Sequence, residues 1–60
     1  MNYHIGDLVR KLGGQETFIT VATKEEKSDH NLEDGFDYLI QKEEDASHTE
    51  QVFEEDIERK

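Results

Sequence analysis

Two stretches decide the fold: Ile5-Gly6-Asp7-Leu8-Val9-Arg10-Lys11-Leu12-Gly13-Gly14 near one end of the 60-residue sequence, and Val52-Phe53-Glu54-Glu55-Asp56-Ile57-Glu58 near the other. The first holds a short apolar run that ends at a Gly-Gly pair, which readily takes positive φ in a turn. The second sets Val52, Phe53 and Ile57 around three acidic residues. Both are candidate structural elements at the two ends of one small domain.

Two further apolar segments lie between them. Residues 17–23 are mostly β-branched or aromatic and form the clearest predicted strand. Residues 36–41 alternate Phe36, Tyr38 and Ile40 on one face, after an Asp34-Gly35 turn, and predict a second strand. The polar residues 24–35 between them have Leu32 as the only large apolar side chain, which predicts a long acidic loop.

Periodicity alone does not decide whether the segments near the two ends of the chain are helix or strand. Leu8, Val9 and Leu12 would also suit one helical turn, with Asp7 and Gly13 as caps. Ser47-His48-Thr49-Glu50 fits a capping box, and Phe53 and Ile57 are four residues apart, so residues 49–60 would also suit a helix. The alternative fold is therefore α+β, a β-hairpin with a C-terminal helix.

Three short phrases favour the all-β fold, and their residues are Gly6, Asp7 and Val9; Tyr38, Leu39 and Ile40; and Val52, Glu54, Asp56 and Ile57. In this pattern the chain resembles small bacterial and phage SH3-like (Tudor-like) β-barrel proteins, mostly of unknown function. The resemblance implies a mainly β, small SH3-like barrel of four to five antiparallel strands, as a single domain over residues 1–60. Gln51 stands where that pattern often has an aromatic residue, so an aromatic cage for methylated side chains is not implied.

Composition limits the classes of protein that fit. Hydrophobic residues make up 32% and charged residues 38% of the chain, so one small core is expected. There is no cysteine, which favours a reducing cytoplasm over an oxidising compartment. The start Met-Asn-Tyr-His has no signal-peptide character, and no apolar run approaches the roughly 20 residues that span a bilayer. We therefore expect a cytoplasmic protein with no membrane partner.

The net charge of −9 is unevenly distributed. Residues 1–24 have three Lys/Arg against two Asp/Glu, and residues 25–60 have four against fourteen, which gives +1 and −10. Such an acidic surface repels nucleic-acid phosphates, so no direct nucleic-acid binding is expected. A basic protein is the partner that this charge predicts.

No pattern of catalytic, metal-binding or cofactor-binding residues emerges. A calcium loop starting at Asp29 fails, because its sixth position is Asp34 rather than glycine and its twelfth is Ile40 rather than a carboxylate. His4, His30 and His48 have no metal-type spacing. We therefore predict that the chain is not an enzyme and has no metal or cofactor.

The apolar residues themselves are the candidate site. If Val9, Ile19, Val21, Tyr38, Ile40, Val52 and Ile57 fill the barrel, four large apolar side chains point away from it: Leu8, Phe18, Leu39 and Phe53. Exposed apolar surface marks interaction sites, so these four are the predicted interface for a protein partner or a second copy. The first hypothesis is a non-enzymatic interaction module. The alternative is a phage or mobile-element inhibitor whose carboxylates imitate nucleic-acid charge and block a host nucleic-acid enzyme.

Overall fold

The computed structural model describes residues 3–24 and 35–60, which form one antiparallel sheet of five strands. The strands are β1 (Leu8–Lys11), β2 (Phe18–Thr23), β3 (Tyr38–Lys42), β4 (Asp45–Val52) and β5 (Ile57–Arg59), in the spatial order β4-β3-β2-β1-β5. A single 3-10 turn, Glu54–Asp56, precedes β5, and the described residues contain no α-helix. The predicted mainly β fold is confirmed. It is barrel-like, although β4 and β5 do not pair and the sheet stays open.

The connection between the two edge strands bends this sheet. Four residues separate Val52 at the end of β4 from Ile57 at the start of β5, a path of at most about 17 Å. The edges of a flat five-stranded sheet would stand about 19 Å apart. The 3-10 turn shortens the path further, since it rises only about 2 Å per residue. The sheet must therefore curve, and its concave face encloses the core.

The core is one cluster to which every strand contributes, together with the segment before β1. Its buried members are Tyr3, Val9, Phe18, Tyr38, Ile40, Val52 and Ile57. Tyr38 is fully buried, and its ring packs edge-on against Tyr3 with centroids 5.4 Å apart. Its hydroxyl donates to Oε1 of Glu54 at 3.1 Å, so the phenol has a polar partner at the rim of the core.

Strand β1 is short because a glycine turn lies on each side of it. Gly6 has φ +97° and its N–H donates to the Thr20 carbonyl at 2.8 Å, which holds the approach to β1 beside β2. Gly13 has φ +81° and ends the segment after Leu12. Both φ values lie in the left-handed region that favours glycine. The alternative of a helical turn at Leu8–Leu12 is therefore wrong, since this segment is extended and paired on both sides.

The alternative of a C-terminal helix is also wrong. Residues 49–60 contain the end of β4, the 3-10 turn and β5. The segment from Lys42 to Glu50 contains a Glu43-Glu44 turn and most of β4. Backbone pairing with β3 stabilises this polar strand. Its sequence therefore lacks the alternating apolar pattern from which a strand is predicted.

The prediction of which β2 side chains enter the core is wrong. Phe18, Thr20 and Ala22 are buried, whereas Ile19 and Val21 are half-buried. Phe18 pairs with Val9, whose side chain is in the core, and directly paired residues share a face. A shift of one residue exchanges the two faces of a strand, which is why the assignment of Ile19 and Val21 to the core fails. A bulge between Thr20 and Ala22 then changes the alternation once more.

Most of the predicted acidic loop, residues 25–34, lies outside the described residues. The extent of the domain over residues 1–60 stays a prediction. In the described part of the chain, no helix is long and apolar enough to cross a membrane.

One buried polar atom gives a test of this core. The Thr20 side chain is 1% exposed, and its Oγ1 has no hydrogen-bond partner among residues 3–24 and 35–60. An unsatisfied buried hydroxyl costs about 1–3 kcal/mol. We therefore expect Thr20→Val to raise the free energy of unfolding by about 1 kcal/mol, measured by urea denaturation. Thr20→Ser is the control: it keeps the hydroxyl, loses a methyl group, and should lower stability. A less stable Thr20→Val variant would contradict this account of Thr20.

Candidate protein-interaction surface

An apolar pair lies on the outer, convex face of the sheet. Leu8 of β1 is directly opposite Ile19 of β2, so their Cβ atoms are neighbours. Leu8 is 41% exposed and Ile19 is half-buried. Ile5, also exposed, precedes the Gly6 amide that bonds to β2. We call Ile5, Leu8 and Ile19 the outer patch. Of these, only Leu8 was predicted from sequence.

A second apolar surface lies where β4 ends. Phe53 is 40% exposed, and its ring stacks on that of Phe36 with centroids 5.0 Å apart and an interplanar angle of 27°. Phe53 is therefore exposed, as the sequence predicted, and it is ordered by an aromatic neighbour. We call these two rings the Phe stack. Phe36 was assigned to the core face of a strand, but β3 begins only at Tyr38, and Phe36 lies just before it.

The predicted exposure of Phe18 and Leu39 is wrong. Phe18 is 3% exposed and belongs to the core, because the register of β2 turns it inward beside Val9. Leu39 is 6% exposed and lies between Ala22 of β2 and Gln51 of β4, in the middle of the sheet. Neither side chain is exposed in this structure. Only the pairing of β2 with β1 shows that Ile19, and not Phe18, lies on the same face as Leu8.

A groove of about 260 Å³ opens at one end of the concave face, next to Phe18. Nζ of Lys11 forms an ion pair with Glu50 and lies 5.9 Å from the centroid of the Phe18 ring. Nε2 of His48 is 2.8 Å from the other carboxylate oxygen of Glu50. Hydrogen bonds from Lys11 and His48 lower the pKa of the Glu50 carboxyl. The charged groups of this groove are thus paired with each other above an aromatic floor.

A second polar network fixes the start of β3. Asp37 accepts the Glu54 backbone N–H at 2.8 Å and forms an ion pair with Lys24 at 2.9 Å. These two donors hold the pKa of the Asp37 carboxyl below its usual range. The network ties the 3-10 turn to the residue before β3, and its members Asp37 and Glu54 are next in sequence to the two rings of the Phe stack.

Among residues 3–24 and 35–60, no group of three or more His, Asp or Glu side chains could hold a metal ion. His4 is exposed at a turn and His48 lines the groove, while His30 and the rejected calcium loop up to Asp34 lie outside the described residues.

An acidic segment links these surfaces. From residue 43 to residue 57 the chain has seven carboxylates and no lysine or arginine: Glu43, Glu44, Asp45, Glu50, Glu54, Glu55 and Asp56. The segment comprises the β3–β4 turn, β4, Phe53 and the 3-10 turn. We call residues 43–57 the acidic segment. One exposed phenylalanine therefore stands in a strongly negative stretch at the edge of the sheet.

Comparison with protein-family models, with curated proteins and with solved structures gives no significant match for this chain.

The contrast between buried and exposed apolar residues gives a direct test. Phe18→Ala should lower the free energy of unfolding by about 3–5 kcal/mol, because it empties the floor of the core. Leu8→Ala, on the convex face, should cost less than about 1 kcal/mol. Urea denaturation of both variants measures the difference. Equal losses in the two variants would show that the facing described for β1 and β2 is incorrect.

The lowered pKa of Glu50 predicts a pH-dependent contribution to stability. Since folding favours the ionised carboxylate, this contribution is present above the ordinary glutamate pKa and disappears as the pH falls through the lowered value. Glu50→Gln should therefore cost about 0.5–1 kcal/mol near neutral pH, and progressively less as the pH falls below the ordinary glutamate pKa.

The measurement is the urea midpoint of both proteins across this pH range. Other carboxylates titrate in both, so only the difference between them reports on Glu50. A difference that stays constant with pH would contradict the assignment.

Proposed function

We propose that this protein is a small, non-enzymatic protein-interaction module that combines an acidic surface with apolar anchors. The observation that carries the proposal is the exposure of Leu8 and Phe53, each about two-fifths accessible although the chain has few large apolar residues for its core. Exposed apolar side chains rimmed by charge are typical of binding surfaces. Ile19 and Phe36 replace Phe18 and Leu39 as the neighbours that extend the two anchors.

The surrounding charge complements the anchors. A partner with a basic surface would be attracted over several ångströms, and apolar contacts would then hold it. We retain the SH3-like resemblance and the cytoplasmic location as parts of this proposal. The strand order, the 3-10 turn before β5 and the absence of cysteine support them.

Capture of the partner under controlled salt tests the proposal. The immobilised protein should retain a partner from a lysate of the encoding organism at about 0.5 M salt, where surface charge attraction is largely screened. Leu8→Ser and Phe53→Ser should each lose it, because each removes an apolar anchor. Gln15→Ser, a change at an exposed polar residue, is the matched control and should behave as wild type.

A partner that survives both anchor substitutions would refute the apolar-anchor proposal, as would the absence of any captured protein. A second copy is the simplest partner of this kind. Sedimentation equilibrium identifies it as a dimer that Leu8→Ser or Phe53→Ser dissociates.

The acidic segment favours a second candidate function, an inhibitor that imitates nucleic-acid charge. Seven carboxylates without a lysine or arginine provide the negative density that such mimicry needs. Binding would then depend on charge alone. A captured nucleic-acid enzyme that elutes at modest salt, and that ignores the Leu8→Ser and Phe53→Ser changes, would favour this function over the first.

A further inference from the structure

Four side chains form an uncharged row across the convex face of the sheet. Leu8 of β1 pairs with Ile19 of β2. Ile19 pairs in turn with Gln41 of β3, and Gln41 with Thr49 of β4. Directly paired residues share a face, and Val9, the neighbour of Leu8, lies in the core, so the four side chains point outward. We call Leu8, Ile19, Gln41 and Thr49 the outer row.

The outer row is accessible to another molecule. Leu8 and Thr49 are exposed, and Ile19 and Gln41 are half-buried. Among residues 3–24 and 35–60, no hydrogen bond or ion pair engages the side chain of Gln41 or of Thr49. The row therefore presents two aliphatic groups beside an amide and a hydroxyl.

Charge favours a second copy of the chain as the molecule that meets this row. Two chains of net charge −9 repel each other over most of their surfaces, but the outer row itself has no charge. Arg10 and Glu58, the next paired position on the same face, neutralise each other in an ion pair of 3.0 Å. Glu50, which follows Thr49, lines the groove of the concave face. Two copies can therefore meet at the outer row without placing like charges together.

The amide of Gln41 is its own complement. A carboxamide has both N–H donors and a carbonyl acceptor, so two amides related by a twofold axis can form two N–H···O bonds with each other. Ile19, directly beside Gln41, adds an apolar group that can likewise contact its own copy. A twofold interface needs this property, because residues near its axis contact their own counterparts.

We propose that two copies of this protein associate about a twofold axis through the outer row, with the Gln41 amides facing each other. This inference rests on the proposed interaction function and names a second copy as the partner of the convex face. Two convex faces touch only near their centres, so the contact is at the small end of specific interfaces. A dissociation constant of about 0.1 mM is therefore expected.

Sedimentation equilibrium of the whole chain, between about 0.02 and 2 mM, measures this association. We expect a monomer–dimer equilibrium, and dilution should shift the backbone amide NMR signals of the outer row more than those of the Phe stack. Raising the salt from about 0.05 M to about 0.5 M should tighten the dimer by about threefold or more, because salt screens the repulsion between two chains of net charge −9. An association driven by opposite charges would weaken instead.

Variants at Gln41 test the facing amides. Gln41→Glu keeps the shape of the side chain but sets two carboxylates against each other, so it should weaken the dimer at least about tenfold. Gln15→Glu makes the same change in net charge at an exposed residue between β1 and β2, and should behave as wild type. Gln41→Lys should also weaken the dimer, whereas an equimolar mixture of Gln41→Glu and Gln41→Lys should associate again. Circular dichroism verifies that each variant folds.

Each outcome decides the proposal. A dimer that Gln41→Glu dissociates and that the mixture of the two charged variants restores supports it. A chain that stays monomeric at every concentration, dilution shifts centred on the Phe stack, or equal effects of Gln41→Glu and Gln15→Glu would each overturn it. So would a mixture that fails to associate. None of these failures removes the proposed interaction with a different protein, which the lysate capture tests separately.

Discussion

The short link between β4 and β5 is the constraint on which the rest of the structure depends. It has only Phe53 and the 3-10 turn with which to join the two edges of a five-stranded sheet. Asp37 holds the turn through the Glu54 N–H, and the Tyr38 hydroxyl holds it through the Glu54 carboxylate. With the edges drawn together, the sheet has to curve, and Val52 and Ile57 reach the same core cluster. The same link leaves the ring of Phe53 outside the core cluster.

The sequence predicted the strands where side-chain chemistry alone specifies them. β-Branched and aromatic residues marked β2 and β3, and Val9, Tyr38 and Ile40 were correctly placed in the core. The facing of β2 was not predictable in this way, because Phe18-Ile19-Thr20-Val21-Ala22 has apolar residues in both phases of the alternation. Only its pairing with β1 decides which phase is buried.

Other features depended on contacts that are distant in sequence. Strand β4 is mostly polar and is defined by its backbone pairs with β3, so no hydrophobic repeat could mark it. The choice between helix and strand after Thr49 is made by Asp37 and Tyr38, which are more than ten residues away. The candidate site likewise has residues that the sequence indicates and residues that depend on distant contacts. Leu8 and Phe53 were found from the sequence, whereas Ile19 and Phe36 needed the register of the strands.

Most lysine and arginine side chains of the described residues form ion pairs within the sheet and its turns. Lys11 pairs with Glu50, Lys24 with Asp37, and Lys42 with Glu16, which places each of them against a carboxylate of the sheet or its turns. Arg10 and Glu58 pair in the same way across β1 and β5. Lys11 offsets the charge of Glu50, so the negative charge that the proposed interaction would use lies mainly on the other carboxylates of the acidic segment. Attraction there would set the rate of encounter, while apolar contact would set the lifetime of the complex.

The pairing of β1 with β5 has a consequence for how the chain acquires its structure. Val9 pairs with Arg59, and Arg10 with Glu58, so strands from opposite ends of the sequence share one ladder. Contacts between residues so far apart in sequence require a large loop to close, and the entropy cost of this closure comes before the contacts stabilise the structure. Folding is therefore slower than for a helical protein of equal size. During synthesis on a ribosome, β1 could not pair with β5 until almost all of the described strands had emerged. The hairpin of β3 and β4 closes only a short loop, so it is the natural place for order to begin.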